Sequence, residues 1–458
     1  MAPSSDGAYV LLEDRSPVRS FNLWCIIAVL LTALLGLSVH TSKNALAPAE
    51  PALEALGLSP FLYSVIYALT TLCGILLPFV WGCGYMKCPR LVLIAVPLGT
   101  LIGQVVVVIG LAMDDGLFSG TLLVFGWLLV CACRAGGEVV QHTSLVQCMP
   151  NALTSGFVVL IFFTHLSYVF CNVVVPRILS VGAGSKKSVL DMQLVLLIPG
   201  VLSVVAACVL ACIQLSVRNS SGNAHRRVSE QLEQLEAPFT CQLCARSFVW
   251  SEWIPKSCRY LILWNGLVVG ILHAFQSVTN SMCTNFGLSL VDAGQLIAWN
   301  QITSLVVLPL AGILGDSFSH LNEILIVVLS AASFCSAFIL TLQTIISVPT
   351  LVWEGALLLL QVVGILAPVV SLALVPRYTK RIGEAFGVVD SLKSTFQCVF
   401  VLLIGALRQN VGGFHTALLA VCTGLGVLSV VSGLFFYETK RRALQQDEVS
   451  KDVVALGA

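Results

Sequence analysis

The chain has 458 residues, 57% of them hydrophobic and 10% charged, and its mean hydropathy is +0.94. Soluble globular chains carry about 25% charged residues, so the composition excludes a soluble domain and fits an all-α membrane protein. A net charge of +1 with no long basic tract gives no footing for a nucleic-acid partner.

In chain order, residues 1–20 form a polar tail whose Asp6, Glu13 and Asp14 argue against a cleavable signal peptide. Within it, Tyr9-Val10-Leu11-Leu12 matches a sorting pattern, Tyr9 followed by bulky Leu12, that cytosolic adaptors read on endosomal and lysosomal proteins. Twelve apolar runs of about 20 residues follow, each long enough to cross a bilayer. The predicted spans are 21–40, 60–84, 91–113, 122–146, 153–176 and 194–215, then 260–282, 293–314, 324–342, 351–374, 383–407 and 414–437. The long break at 216–256 divides them into two six-helix bundles, 21–215 and 257–438, with a tail at 439–458. Two bundles joined by a charged linker are a transporter layout, with the substrate near the midplane between halves that rock against each other. In the linker, Val228, Leu232 and Leu235 of RRVSEQLEQLEAPF fall at helical spacing, which predicts a short amphipathic helix on the cytosolic face.

An even number of spans puts both termini on one side. Most of the 24 Lys and Arg fall in the tails and same-side loops, so the positive-inside rule makes that side cytosolic. Lys43, Arg177, Lys186, Lys187 and Arg408 fall opposite, leaving Arg134 and Lys393 inside spans. Most of the 17 cysteines, such as Cys131, Cys133, Cys171, Cys208 and Cys212, also lie in spans, where a thiol packs as a small apolar group. Cys241 and Cys244 form a lone CxxC in the linker without a second pair at zinc spacing, so no metal or other cofactor is expected. The N-x-S/T sequon at Asn219 lies in the cytosolic linker and should carry no glycan.

Charge inside a span is the most informative feature. Arg134 and Glu138 interrupt LLVFGWLLVCACRAGGEVVQHTSLV, and a charge at bilayer depth costs about 2.5–3.5 kcal/mol even on lenient scales. At i, i+4 they share a helix face and either neutralise each other or meet the two ends of a zwitterion. Asp390 and Lys393 repeat the arrangement at i, i+3 in span 11 and read as a salt bridge at the cytosolic gate. Gly312 and Asp316, in PLAGILGDSFSH at the end of span 8, predict a latch in which the carboxylate caps another helix N-terminus; span 2 ends in FVWGCGYMKCPR, without an acid. His273, Gln276 and Asn280 step along one face of span 7, and Asn300 and Gln301 lie inside span 8. They either line a hydrated cavity or bond neighbouring helices.

Four stretches, TSKNALAP, RAGGEVVQHTSLV, NFGLSLVDAGQLIAWNQITSLVVLPLAGILGD and LVPRYTKRIGEAFGVVDSL, resemble the major facilitator superfamily, in particular its lysosomal dipeptide transporters. The resemblance implies the twelve-helix, two-bundle major facilitator fold, facilitated diffusion of dipeptides, and a glycosylated single-span accessory subunit as partner. It implies that Glu138 of the G-G-E motif contacts the cargo's amino group. An arginine expected on span 5 aligns with His165, a departure that leaves His165 or Arg134 to supply the positive charge.

The expectation is an alternating-access carrier of small zwitterionic peptides in a lysosomal or endosomal membrane, with the plasma membrane as the other location. Single amino acids or organic anions remain open as cargo, and a transport-silent scaffold or sensor as the other class. No GxxxxGK[ST], Ser-His-Asp set or H-E-x-x-H is present, so no enzyme activity is expected. Glu138, His165 and Asp390 are the groups able to carry protons.

Overall fold

A computed structural model of the chain describes residues 23–55, 59–113, 116–148, 152–181, 186–220, 256–318, 320–379, 382–410 and 413–457. Tyr9 and Leu12, the amphipathic linker segment, Cys241 and Cys244 lie outside them. The described residues form helices and no strands, and twelve spans are long and apolar enough to cross a membrane. Spans 2 to 6 are Pro60–Lys87, Pro89–Ala112, Gly116–Cys148, Leu153–Val181 and Lys186–Ser220. Spans 7 to 12 are Lys256–Asn285, Leu290–Ser317, Leu321–Gln343, Thr350–Tyr378, Ile382–Asn410 and Phe414–Gly457. The last helix thus runs on through the segment expected to be a tail.

The first span is three consecutive helices, Leu23–Leu35, Leu37–Asn44 and Leu46–Ala55. At the first break the Gly36 N–H bonds Ala33 O in a tighter turn, which frees the carbonyl of Thr32. An unmet carbonyl is costly in a membrane. The Gln141 amide of span 4 supplies the missing donor, 2.9 Å from Thr32 O. It fits only because Gly36 has no side chain: a Cβ there would lie 2.1 Å from Gln141 Nε2.

This break also corrects the sequence reading of Lys43. The polar run after His40 ended the predicted span, yet the span continues to Pro51 and Lys43 is buried inside it. The reason is local: the middle helix faces protein, where Ser38 N bonds Ser203 Oγ, Asn44 Nδ2 bonds Ser167 Oγ and Ser42 bonds Gln104. Polarity marks an interior face here rather than an exit from the bilayer.

Burial separates central from peripheral helices. The most apolar window is 89% buried in span 7 and 83% in span 10, against 39% in span 2. Outward-facing side chains such as Leu76, Leu91, Val306 and Leu351 are exposed, an apolar coat that suits lipid. Span 2 packs along span 11 and span 5 along span 8, so the two halves meet at two long seams. The first seam is close-packed from Gly405 beside Ser64 to Gly82 beside Gly383, and the second from Gly294 beside Asn172 to Gly315 beside Thr154.

Candidate functional site

Charged residues from both halves converge between the bundles. Lys393 of span 11 pairs with Glu138 of span 4 and, at 2.9 Å, with Asp390 one turn back on its own helix. His142, one turn beyond Glu138, places Nδ1 3.6 Å from Asp390. The predicted Asp390–Lys393 contact is therefore part of a cross-bundle triad. Its side chains are 4–15% exposed, so each charge depends on the others for compensation.

Arg134 does not pair with Glu138, so of the two readings of their i, i+4 spacing the mutual neutralisation is not adopted here. Its guanidinium turns to span 2 and donates to Thr70 O at 2.9 Å, while Nη1 has no hydrogen-bond partner among the described residues. Glu138 is drawn instead to Lys393, whose long chain crosses from the facing bundle. Sequence spacing shows which residues share a helix face but not which partner the opposite bundle offers.

Lys43, which no sequence argument placed here, completes the set. Its Nζ lies 3.1 Å from His273 Nδ1 and donates to Gln397 Oε1 at 3.2 Å. Among the described residues no carboxylate pairs with it. Three basic side chains, Lys43, Arg134 and Lys393, thus share two carboxylates, Glu138 and Asp390. A buried ammonium without a counter-ion is the costly element of the arrangement. The signal that could have found it is the TSKN run itself, a polar patch at mid-helix rather than after it.

Beside the charges lies a neutral polar cleft. His165 Nδ1 contacts Gln301 Oε1 at 2.6 Å; Gln301 and Gln276 both donate to Gln361 Oε1, Gln276 at 3.1 Å. Asn280 Nδ2 donates to Asn172 Oδ1 at 3.1 Å, joining span 7 to span 5. His165 therefore faces amides rather than a carboxylate. Sequence reasoning missed Gln361, an isolated amide in an apolar run, and Asn172, two turns after His165 on span 5. Asn300 is buried with Nδ2 unpartnered among the described residues, outside the lining of this cleft.

The halves are also tied at each end. On the side of the termini, Asp316 accepts from Thr154 N (3.0 Å), Ser155 N (2.9 Å) and Ser155 Oγ (2.6 Å) at the start of span 5. On the opposite side, Arg408 of span 11 holds Glu50 at 2.7 Å and Glu54 at 2.9 Å and lies over the Phe414 ring. Arg408, assigned from sequence to a loop, is thus a buried cross-bundle partner. The charged cluster and the cleft lie between these two ties.

The Major Facilitator Superfamily model matches residues 32–401. Solved structures share the fold: the proton:xylose symporter XylE (TM-score 0.69, 13% identity, 91% of this chain and 95% of that one) and the E. coli fucose:proton symporter FucP (0.56, 14%, 91% and 99%). A bacterial homologue of the iron transporter ferroportin aligns at TM-score 0.59 and 13% identity over 88% of this chain and 98% of the other. No curated protein matches the chain in sequence.

Proposed function

We propose, since the chain belongs to the Major Facilitator Superfamily, that this transporter of a small substrate carries zwitterions with a carboxylate and an ammonium, small peptides foremost. One observation carries the reading: Lys43 is buried between the bundles against His273 and Gln397, with no carboxylate in ion-pair contact among the described residues. The cargo's carboxylate supplies the missing counter-ion. Its ammonium takes Glu138 by displacing Lys393, which keeps Asp390, so cargo binding breaks one cross-bundle ion pair and holds both ends of the cargo on the first bundle. That exchange loosens the seam only when cargo is present, the requirement for alternating access. Asp316 and Arg408 then act as the two gates.

The resemblance to lysosomal dipeptide transporters adds facilitated diffusion, cytosolic termini, an acidic-vesicle membrane reached through Tyr9 and Leu12, and a glycosylated single-span partner to this proposal. A second reading, a small organic anion, is favoured by the excess of cations over carboxylates in the cluster. The test is counterflow in liposomes: labelled dipeptides, amino acids and dicarboxylates are offered to the wild type, Lys43→Met and Glu138→Gln. Dipeptide exchange lost in both variants supports the zwitterion. Exchange of anions that needs Lys43 but not Glu138 supports the second reading, and exchange untouched by either variant removes both.

A further inference from the structure

The neutral cleft carries more than helix–helix adhesion. Its lining includes the amides Gln276, Asn280, Gln301 and Gln361, the Tyr168 ring and the apolar Ile297, with no charged residue, and it lies between the bundles. In the structure Gln276 Nε2 is turned to Gln361 and Asn280 Nδ2 to Asn172. Gln276 Oε1 and Asn280 Oδ1 are therefore acceptors left over. Both are buried without a hydrogen-bond partner among the described residues, as is the Tyr168 hydroxyl. Gln276 and Asn280 are 6% and 1% exposed, so neither oxygen is met by bulk water, and an unmet buried acceptor costs about 1–3 kcal/mol.

The cleft begins one helical turn from Lys43. Ala47, one turn after Lys43, is part of its lining, and His273, which contacts Lys43, precedes Gln276 by one turn of span 7. In this closed state the lining side chains meet across the cleft and leave no room for a guest; as the halves part, a molecule whose carboxylate rests on Lys43 directs the side chain on the adjacent carbon between them. We infer that the cleft is a subsite that reads the carboxyl-terminal residue of the cargo and selects an uncharged hydrogen-bond donor there, a side-chain amide or hydroxyl. This rests on the assignment of the cargo carboxylate to Lys43. Two leftover acceptors facing one apolar branch would stay unmet, whereas an amide N–H₂ satisfies both; sites of that kind reject the apolar isostere more strongly than apolar pockets reject a polar one.

Isosteric pairs test it on the purified chain in nanodiscs by titration calorimetry. Alanyl-asparagine should bind about tenfold tighter than alanyl-leucine, whereas asparaginyl-alanine and leucyl-alanine, with the variable residue at the amino end, should not differ. Gln276→Leu and Asn280→Leu should equalise the first pair, with unfolding temperature and elution monitored. Gln276→Met, which preserves side-chain length, serves if the leucine variants do not fold. Succinamate against isocaproate repeats the comparison without an ammonium, so a preference for succinamate with no dipeptide binding keeps the subsite and removes the zwitterion. Equal affinities within both isosteric pairs, a preference that survives the variants, or no binding of either pair overturns the inference.

Discussion

Replacing Asp316 with alanine should release the seam between spans 5 and 8 on the side of the termini. The carboxylate accepts three hydrogen bonds there, from Thr154 N, Ser155 N and Ser155 Oγ. Bonds to a charged group contribute about 1.5–3 kcal/mol each. This site is only partly buried, and water takes over the same groups when the seam opens, so about 1 kcal/mol per bond is the appropriate figure. Three such bonds amount to about 3 kcal/mol, which shifts the closed-to-open ratio by roughly 10²-fold at about 1.4 kcal/mol per decade. Asp316→Asn, retaining one acceptor oxygen, should fall between. Spin labels at positions 152 and 318, measured by pulsed electron resonance in nanodiscs, should show one short distance in the wild type and a dominant longer one in Asp316→Ala. An unchanged distance distribution in the alanine variant would refute the latch, because the three bonds would then contribute nothing to holding the seam.

Three further outcomes follow from the same geometry. Lys393→Met leaves Glu138 and Asp390 without their shared cation; it should destabilise the folded chain by about 3 kcal/mol, with part recovered by adding Asp390→Asn, as read by thermal unfolding in detergent. Arg408→Gln strands Glu50, which is fully buried; cross-linking between spans 1 and 11 should weaken at the end opposite the termini while the Asp316 end stays closed. Gly294→Ala would place a Cβ 2.5 Å from the carbonyl of Asn172; it should prevent closure of spans 5 and 8 on that side and cut counterflow at least tenfold without loss of folded protein.

The twelve spans and the all-helical class were legible because hydropathy over about 20 residues answers to the bilayer alone. The first span was the exception. Its second helix is polar yet buried, satisfied by Ser203, Ser167 and Gln104 from neighbouring helices, and no window over one segment carries that compensation. The same limit governs the site. Arg134 and Glu138 were recognisable as buried charges from their position in the sequence, but their partners, Thr70 and Lys393, belong to other helices. Asp316 was readable as a carboxylate at a helix end; that it meets the N-terminus of span 5 is set by the packing of the two halves. Gln361 carried no signal, since a single amide in an apolar run has the same pattern whether it bonds a neighbour or a ligand; Asn172, two turns after His165, shares a helix face with a residue the sequence did mark.

Cargo recognition as proposed requires that Lys43 pair with the cargo's carboxylate and Glu138 with its ammonium. The most direct measurement is the affinity of alanyl-alanine, its carboxyl amide and its N-acetyl derivative for the wild type, Lys43→Met and Glu138→Gln. Amidation should weaken binding to the wild type and to Glu138→Gln but make no difference in Lys43→Met; acetylation should weaken the wild type and Lys43→Met but make no difference in Glu138→Gln. If each modification costs the same affinity in all three proteins, the two residues do not hold the two ends of the cargo.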